Sequence, residues 1–119
     1  MAVHNELGLA GEKIAVDFLR EKGYHIRQRN WRFQKVEIDI IAQKDDLIVI
    51  VEVKTRSNRH FGNPQEFVNG QKMKFLLKAA HNYVVSRKID KEIRFDIIAV
   101  IKSPEEFSIE HIKDAFHLF

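Results

Sequence analysis

The stretch Val36-Glu37-Ile38-Asp39-Ile40-Ile41-Ala42-Gln43-Lys44-Asp45-Asp46-Leu47-Ile48-Val49-Ile50-Val51-Glu52-Val53-Lys54-Thr55 holds two runs rich in Ile and Val, split by three polar residues. Side chains branched at Cβ suit the pleated surface of a strand, so the pattern predicts a β-hairpin. If its turn is the pair Asp45-Asp46, Lys44 faces Leu47, Asp39 falls opposite Glu52, and Glu37 falls opposite Lys54. The period of two sets Val36, Ile38, Ile40 and Ala42 on one face and Glu37, Asp39 and Ile41 on the other. On the second strand Ile48, Ile50, Glu52 and Lys54 share a face, with Val49, Val51 and Val53 behind it.

Directly opposed carboxylates repel each other. A divalent cation between Asp39 and Glu52 would reverse that, since hard ions such as Mg²⁺ (or Mn²⁺) bind one or two carboxylates together with water and phosphate oxygens. Lys54 would point to the same place, and acid, acid and base at this spacing describe phosphodiester hydrolysis. The competing account is a solvated sheet face, with Glu52 paired to Lys54 or Arg56. Against it, Ile48 and Ile50 precede Glu52 on its own face and set the carboxylate at the end of a buried row.

Upstream, Leu7, Ala10, Gly11, Ile14, Ala15, Phe18 and Leu19 recur at helical spacing between Asn5 and Lys22, and Gly23 is a stop signal. Glu12 lies at the margin of that apolar stripe. Gly8, Gly11 and Ala15 thin the helix surface and would permit close approach to a sheet. A short basic strand is expected from Tyr24 to Trp31. Downstream, Arg56 to Gly70 reads as a loop, Gln71 to Arg87 as a helix, and Glu92 to Ile101 and Phe107 to Ile112 as strands. The order α-β-β-β-α-β-β describes one α/β domain spanning 1–119.

The bulk properties narrow the possibilities. The chain has 119 residues, 20 Lys and Arg against 17 Asp and Glu, a net charge of +3, and no Cys. Lack of Cys excludes a disulfide scaffold, Cys-ligated zinc, an iron–sulfur centre and a thiol nucleophile, and suits a cytoplasmic location. Apolar stretches such as Leu47 to Val51 fall far short of the roughly 18 residues of a membrane span, and the first residues do not resemble a signal peptide. The six His show no i, i+4 pair, which argues against zinc. No Gly-rich phosphate loop or Ser-His-Asp set is visible. A mildly basic balance favours an anionic partner.

Gly8-Leu9-Ala10-Gly11-Glu12, then Glu37-Ile38-Asp39, Glu52-Val53-Lys54 and Phe95-Asp96, taken in order, resemble the YraN-type family of small bacterial proteins along nearly the whole chain. That family is similar in fold to the PD-(D/E)xK nuclease superfamily, which includes the archaeal Holliday junction resolvases. The resemblance implies a restriction endonuclease-like core, a mixed β-sheet flanked by helices. It matches Asp39, Glu52 and Lys54 to the D…ExK signature, with the Val53 carbonyl completing a Mg²⁺ or Mn²⁺ shell, and Glu12 to the helix carboxylate that assists metal binding. Ile38 stands in place of the proline of the superfamily name, and Val36 where a glycine is general.

The implied partner is DNA, with branched DNA as the substrate suggested by the resolvases, and two symmetric cuts would require a homodimer. Arg29, Arg32 and Lys35, interleaved with Trp31 and Phe33, together with Arg56, Arg59, Gln71 and Lys72, are the candidate nucleic-acid contacts. Trp31 and Phe33 are expected to pack under the sheet. Asp96, within an apolar strand, is expected to fix structure by anchoring Lys54 or a loop amide. The rival function is a non-catalytic nucleic-acid-binding or interaction module of the same fold, acting in DNA repair, recombination or uptake.

Overall fold

A computed structural model describes residues 2–57 and 70–116. Its elements are α1 (Ala2–Glu21), β1 (His25–Phe33), β2 (Val36–Lys44), β3 (Leu47–Arg56), α2 (Gly70–Ser86), β4 (Glu92–Lys102) and β5 (Phe107–Ile112). The strands form one sheet in the order β1-β2-β3-β4-β5. β1, β2 and β3 are an antiparallel meander, β3 and β4 run parallel across α2, and β5 returns antiparallel. This is a mixed sheet flanked by helices, the restriction endonuclease-like core. Arg59 and His60 lie outside the described residues. Among the described residues no helix is long and apolar enough to cross a membrane.

Alternation along β3 builds two cores. Val49 and Val51 pack with Ala15, Val16 and Leu19 of α1, while Ile48 and Ile50 pack with Leu76, Ala80 and Tyr83 of α2. The stop signal of α1 works as expected: Gly23 has φ 92, its amide donates to the Arg20 carbonyl (3.0 Å), and the Tyr24 amide reaches back to Leu19 (2.9 Å). This is the bonding of a helix end closed by a left-handed residue. α2 closes the same way with Lys88 at φ 54 and the Ile89 amide on Val84 (2.9 Å).

The hairpin register is the expected one, Lys44 facing Leu47, and runs to Ile40 opposite Val51. There the ladder stops. The expected face assignment fails at the same point, because Ile38 joins the α2 core although Ile40 and Ala42 belong to the α1 core. Asn30 on β1 marks the change. It has left-handed backbone (φ 51), and the β1–β2 ladder, which pairs Arg29 with Ile40 and Trp31 with Ile38, skips the position between them. The break falls on Asp39. Glu37, expected across from Lys54, instead meets Arg32 at 3.3 Å.

Of the small residues of α1, Gly11 makes the close approach. A Cβ there would fall on the Thr55 side chain, within 2.9 Å of its Cβ and Cγ2, whereas one at Gly8 would meet nothing within 4 Å. Gly11→Ala is therefore expected to push α1 off β3 and destabilise the protein by about 1–3 kcal/mol, read from urea unfolding. Gly8→Ala should show no such loss.

Candidate active site

Past Val51 the partner strands part, and the Asp39 carboxylate enters the gap. Its Oδ2 accepts the Val53 amide at 2.8 Å. Asp39 thereby lines two clefts. The larger, of about 870 Å³, opens toward α2 and is also lined by Glu52, Lys72, Phe75 and Phe33. The smaller, of about 280 Å³, opens toward α1 and is also lined by Glu12, Lys54, Val53 and Gly8. Gly8 has no side chain to fill this smaller space.

Glu52 sits at the end of the buried row made by Ile48 and Ile50 and is itself buried. Its Oε1 receives Lys72 Nζ at 2.8 Å and Lys54 Nζ at 3.4 Å. Burial raises the Asp39 carboxyl, the nearby Glu52 charge raises it further, and the result is about 7 despite the Val53 hydrogen bond. Burial likewise lowers the Lys54 ammonium against the pull of Glu52. Two acids beside each other in poor solvent, with a desolvated amine at hand, are kept at an electrostatic cost that a structural role does not require.

Glu12 approaches from the other side of the sheet. Among the described residues its Oε1 is buried without a hydrogen-bond partner, and burial raises its carboxyl although Arg29 and a hydrogen bond from Asn30 oppose the rise. A buried acceptor oxygen left in this way has a lone pair open to a further donor or cation. Among the described residues no three His, Cys, Asp or Glu side chains close on one point, because Glu12 and Glu52 come from opposite sides of Asp39. Asp39 and Glu52 are hard oxygen donors, and two carboxylates completed by water or substrate would suit Mg²⁺ or Mn²⁺.

The remaining sequence candidates divide. Lys35, Gln71 and Lys72 line the larger cleft, and Arg56 lines the smaller one, its Nη1 donating to the Thr55 carbonyl at 2.8 Å. Arg29 is exposed on β1, its charge felt by Glu12. Arg32 is exposed and paired with Glu37. Trp31 and Phe33 stack on one another at 6.1 Å and pack against the α2 core, as expected. Phe75, which lines the larger cleft together with Lys78, escaped the sequence reading. Its signal was present: Gln71, Phe75 and Lys78 stand at i, i+4 and i+7 on one helical face.

The sequence matches the family described as Uncharacterised protein family UPF0102 over residues 11–100, a span that takes in Glu12, Asp39, Glu52, Lys54 and Lys72. The chain belongs to the UPF0102 family. UPF0102 proteins have the restriction endonuclease-like nuclease fold. The UPF0102 protein of Flavobacterium psychrophilum is 59% identical over 119 residues, covering all of both chains. That of Christiangramia forsetii is 51% identical with the same coverage. That of Bacteroides thetaiotaomicron is 53% identical over 117 residues, 98% of this chain and 97% of the relative. None of these UPF0102 names states an activity.

The raised Asp39 carboxyl has a signed consequence. A folded-state value of about 7 against an ordinary 3.8 means the native protein holds a proton that the unfolded chain releases. The associated stability is full at low pH and is lost as pH rises through 7. Asp39→Asn abolishes that loss. In protein treated with a chelator, the variant should therefore exceed the wild type in urea stability by more at pH 8 than at pH 5.

Proposed function

We propose that the protein is a nuclease that requires Mg²⁺ or Mn²⁺ and hydrolyses phosphodiester bonds in DNA, branched or otherwise structured DNA being the first substrate to test. The observation that carries this reading is the convergence of Asp39, Glu52 and Lys54 where β2 and β3 part. Asp39 and Glu52, with the Val53 carbonyl, would hold the cation, and Glu12 would offer its Oε1 from the α1 side. The bound cation would neutralise charge developing on the scissile phosphate. Lys54, whose proton is loosened by burial, would take a proton from the attacking water or hold the phosphate.

The larger cleft supports a nucleic-acid substrate. Lys35, Lys72 and Lys78 supply ammonium groups for phosphates, and Phe33 and Phe75 supply ring faces for bases. Phe75 is 51% exposed, a large apolar side chain left in water beside the acids. Incubation with single-stranded, duplex and four-way-junction DNA in Mg²⁺ or Mn²⁺ tests the reading. Cleavage that stops with chelator supports it. Binding without cleavage of any of these substrates would favour the non-catalytic module instead.

A further inference from the structure

Glu52 Oε1 carries two ammonium groups on one side chain that is only 9% exposed, and the two are held differently. Lys54 stands two residues along the same strand and is 16% exposed at its side chain, fixed by the sheet. Lys72 comes from the first turn of α2 and is 34% exposed, at the wall of the larger cleft. Its 2.8 Å contact is the closer of the two. A divalent ion on Glu52 would add two positive charges to a place that already has two. One ammonium must then leave, and Lys72, the more exposed of the two and at the wall of the larger cleft, has somewhere to go.

On the reading of Asp39 and Glu52 as cation ligands, we propose that Lys72 is a displaceable occupant of the cation's place. In the metal-free protein its ammonium lies on Glu52. Entry of the cation releases it into the cleft, where Lys35 and Lys78 already stand and where an anionic substrate would lie. Lys72 is thus a positioning residue that links the two binding events: the cation frees a phosphate contact, and by reciprocity the substrate, by holding Lys72, favours the cation.

Calorimetric titration of Mn²⁺ into metal-stripped protein tests this without any measurement of cleavage. Lys72→Gln removes the competitor and should bind Mn²⁺ about three- to tenfold more tightly than the wild type. Lys72→Arg retains a cation on Glu52 and should bind no more tightly than the wild type. Lys74→Gln, an exposed position on the same helix, removes the same charge and should leave the affinity unchanged. Unchanged or weaker binding by Lys72→Gln, or equal tightening by Lys74→Gln, would overturn the role of Lys72. If the wild type binds no Mn²⁺, or binds it equally with Glu52→Gln, the cation site itself is misread and both proposals fall. Binding that Glu52→Gln abolishes but Lys72→Gln leaves unaltered would remove only the second.

Discussion

Asp39→Asn and Glu52→Gln are each expected to lower metal-dependent cleavage by on the order of a thousandfold while the fold survives. A cation that neutralises charge on a transferring phosphate contributes several kcal/mol at the transition state, and about 4 kcal/mol corresponds to that factor. The amides preserve side-chain volume, and the Asn oxygen can still accept the Val53 amide that Asp39 holds at 2.8 Å. Loss of activity would therefore report loss of charge and not collapse of the strand. The Asn variant should also unfold at higher urea than the wild type at neutral pH, because the cost of burying the charge and the repulsion with Glu52 are both gone. Sites kept for chemistry are often relieved in this way when their charge is removed. Cleavage unchanged in both variants would place the activity in another site or another protein.

The second large effect is on stability. Asp96 is fully buried on β4, and its two oxygens accept from Arg94 Nε and Nη2 (both 2.8 Å) and from the Asp114 amide (3.0 Å), with His111 Nε2 at 2.7 Å. Arg94 in turn donates to Tyr24 Oη at 3.0 Å. This one carboxylate ties the start of β1 and the segment after β5 to the middle of the sheet. Asp96→Ala strands these donors, and breaking a buried pair from one side costs about 3–5 kcal/mol. Against the roughly 5–15 kcal/mol of a typical domain, that loss would show as a large fall in the urea midpoint.

Burial pushes the Asp96 carboxyl up, but His111, Arg94 and the Asp114 amide outweigh it and hold the group below its ordinary 3.8. The stability it contributes is present above that value and is lost as pH falls through the lower folded-state one. The wild type should thus lose more stability than Asp96→Ala on acidification below pH 4. A destabilisation under about 1 kcal/mol at pH 7 would contradict the role assigned to Asp96.

The hairpin register from Lys44–Leu47 to Ile40–Val51 and the burial of Glu52 at the end of the Ile48–Ile50 row were legible because both depend on local rules, whereas the expected Asp39–Glu52 pair falls beyond the end of the ladder. A two-residue turn fixes which residues face each other, and the period of two fixes which share a face. The face of Ile38 was not legible, since alternation assumes an unbroken ladder and this one is interrupted where Asp39 meets the left-handed Asn30 of a different strand. Gly11 and Gly8 look alike in sequence, and only the position of Thr55 separates them. The Lys72–Glu52 contact spans 20 residues. A lysine on an amphipathic helix gives no sign of its distant partner. Asp96 was read correctly as a structural residue that anchors a loop amide, but the amide proved to be that of Asp114 and its side-chain partners Arg94 and His111, with Lys54 on Glu52 instead.

Whether Asp39 and Glu52 together hold a divalent cation is tested most directly by an anomalous difference map from crystals grown in Mn²⁺. One peak is predicted within coordination distance of both carboxylates, absent from crystals of Asp39→Asn. Saturating Mn²⁺ with no peak there, or a peak only at the exposed acids of the β2–β3 turn, would contradict it.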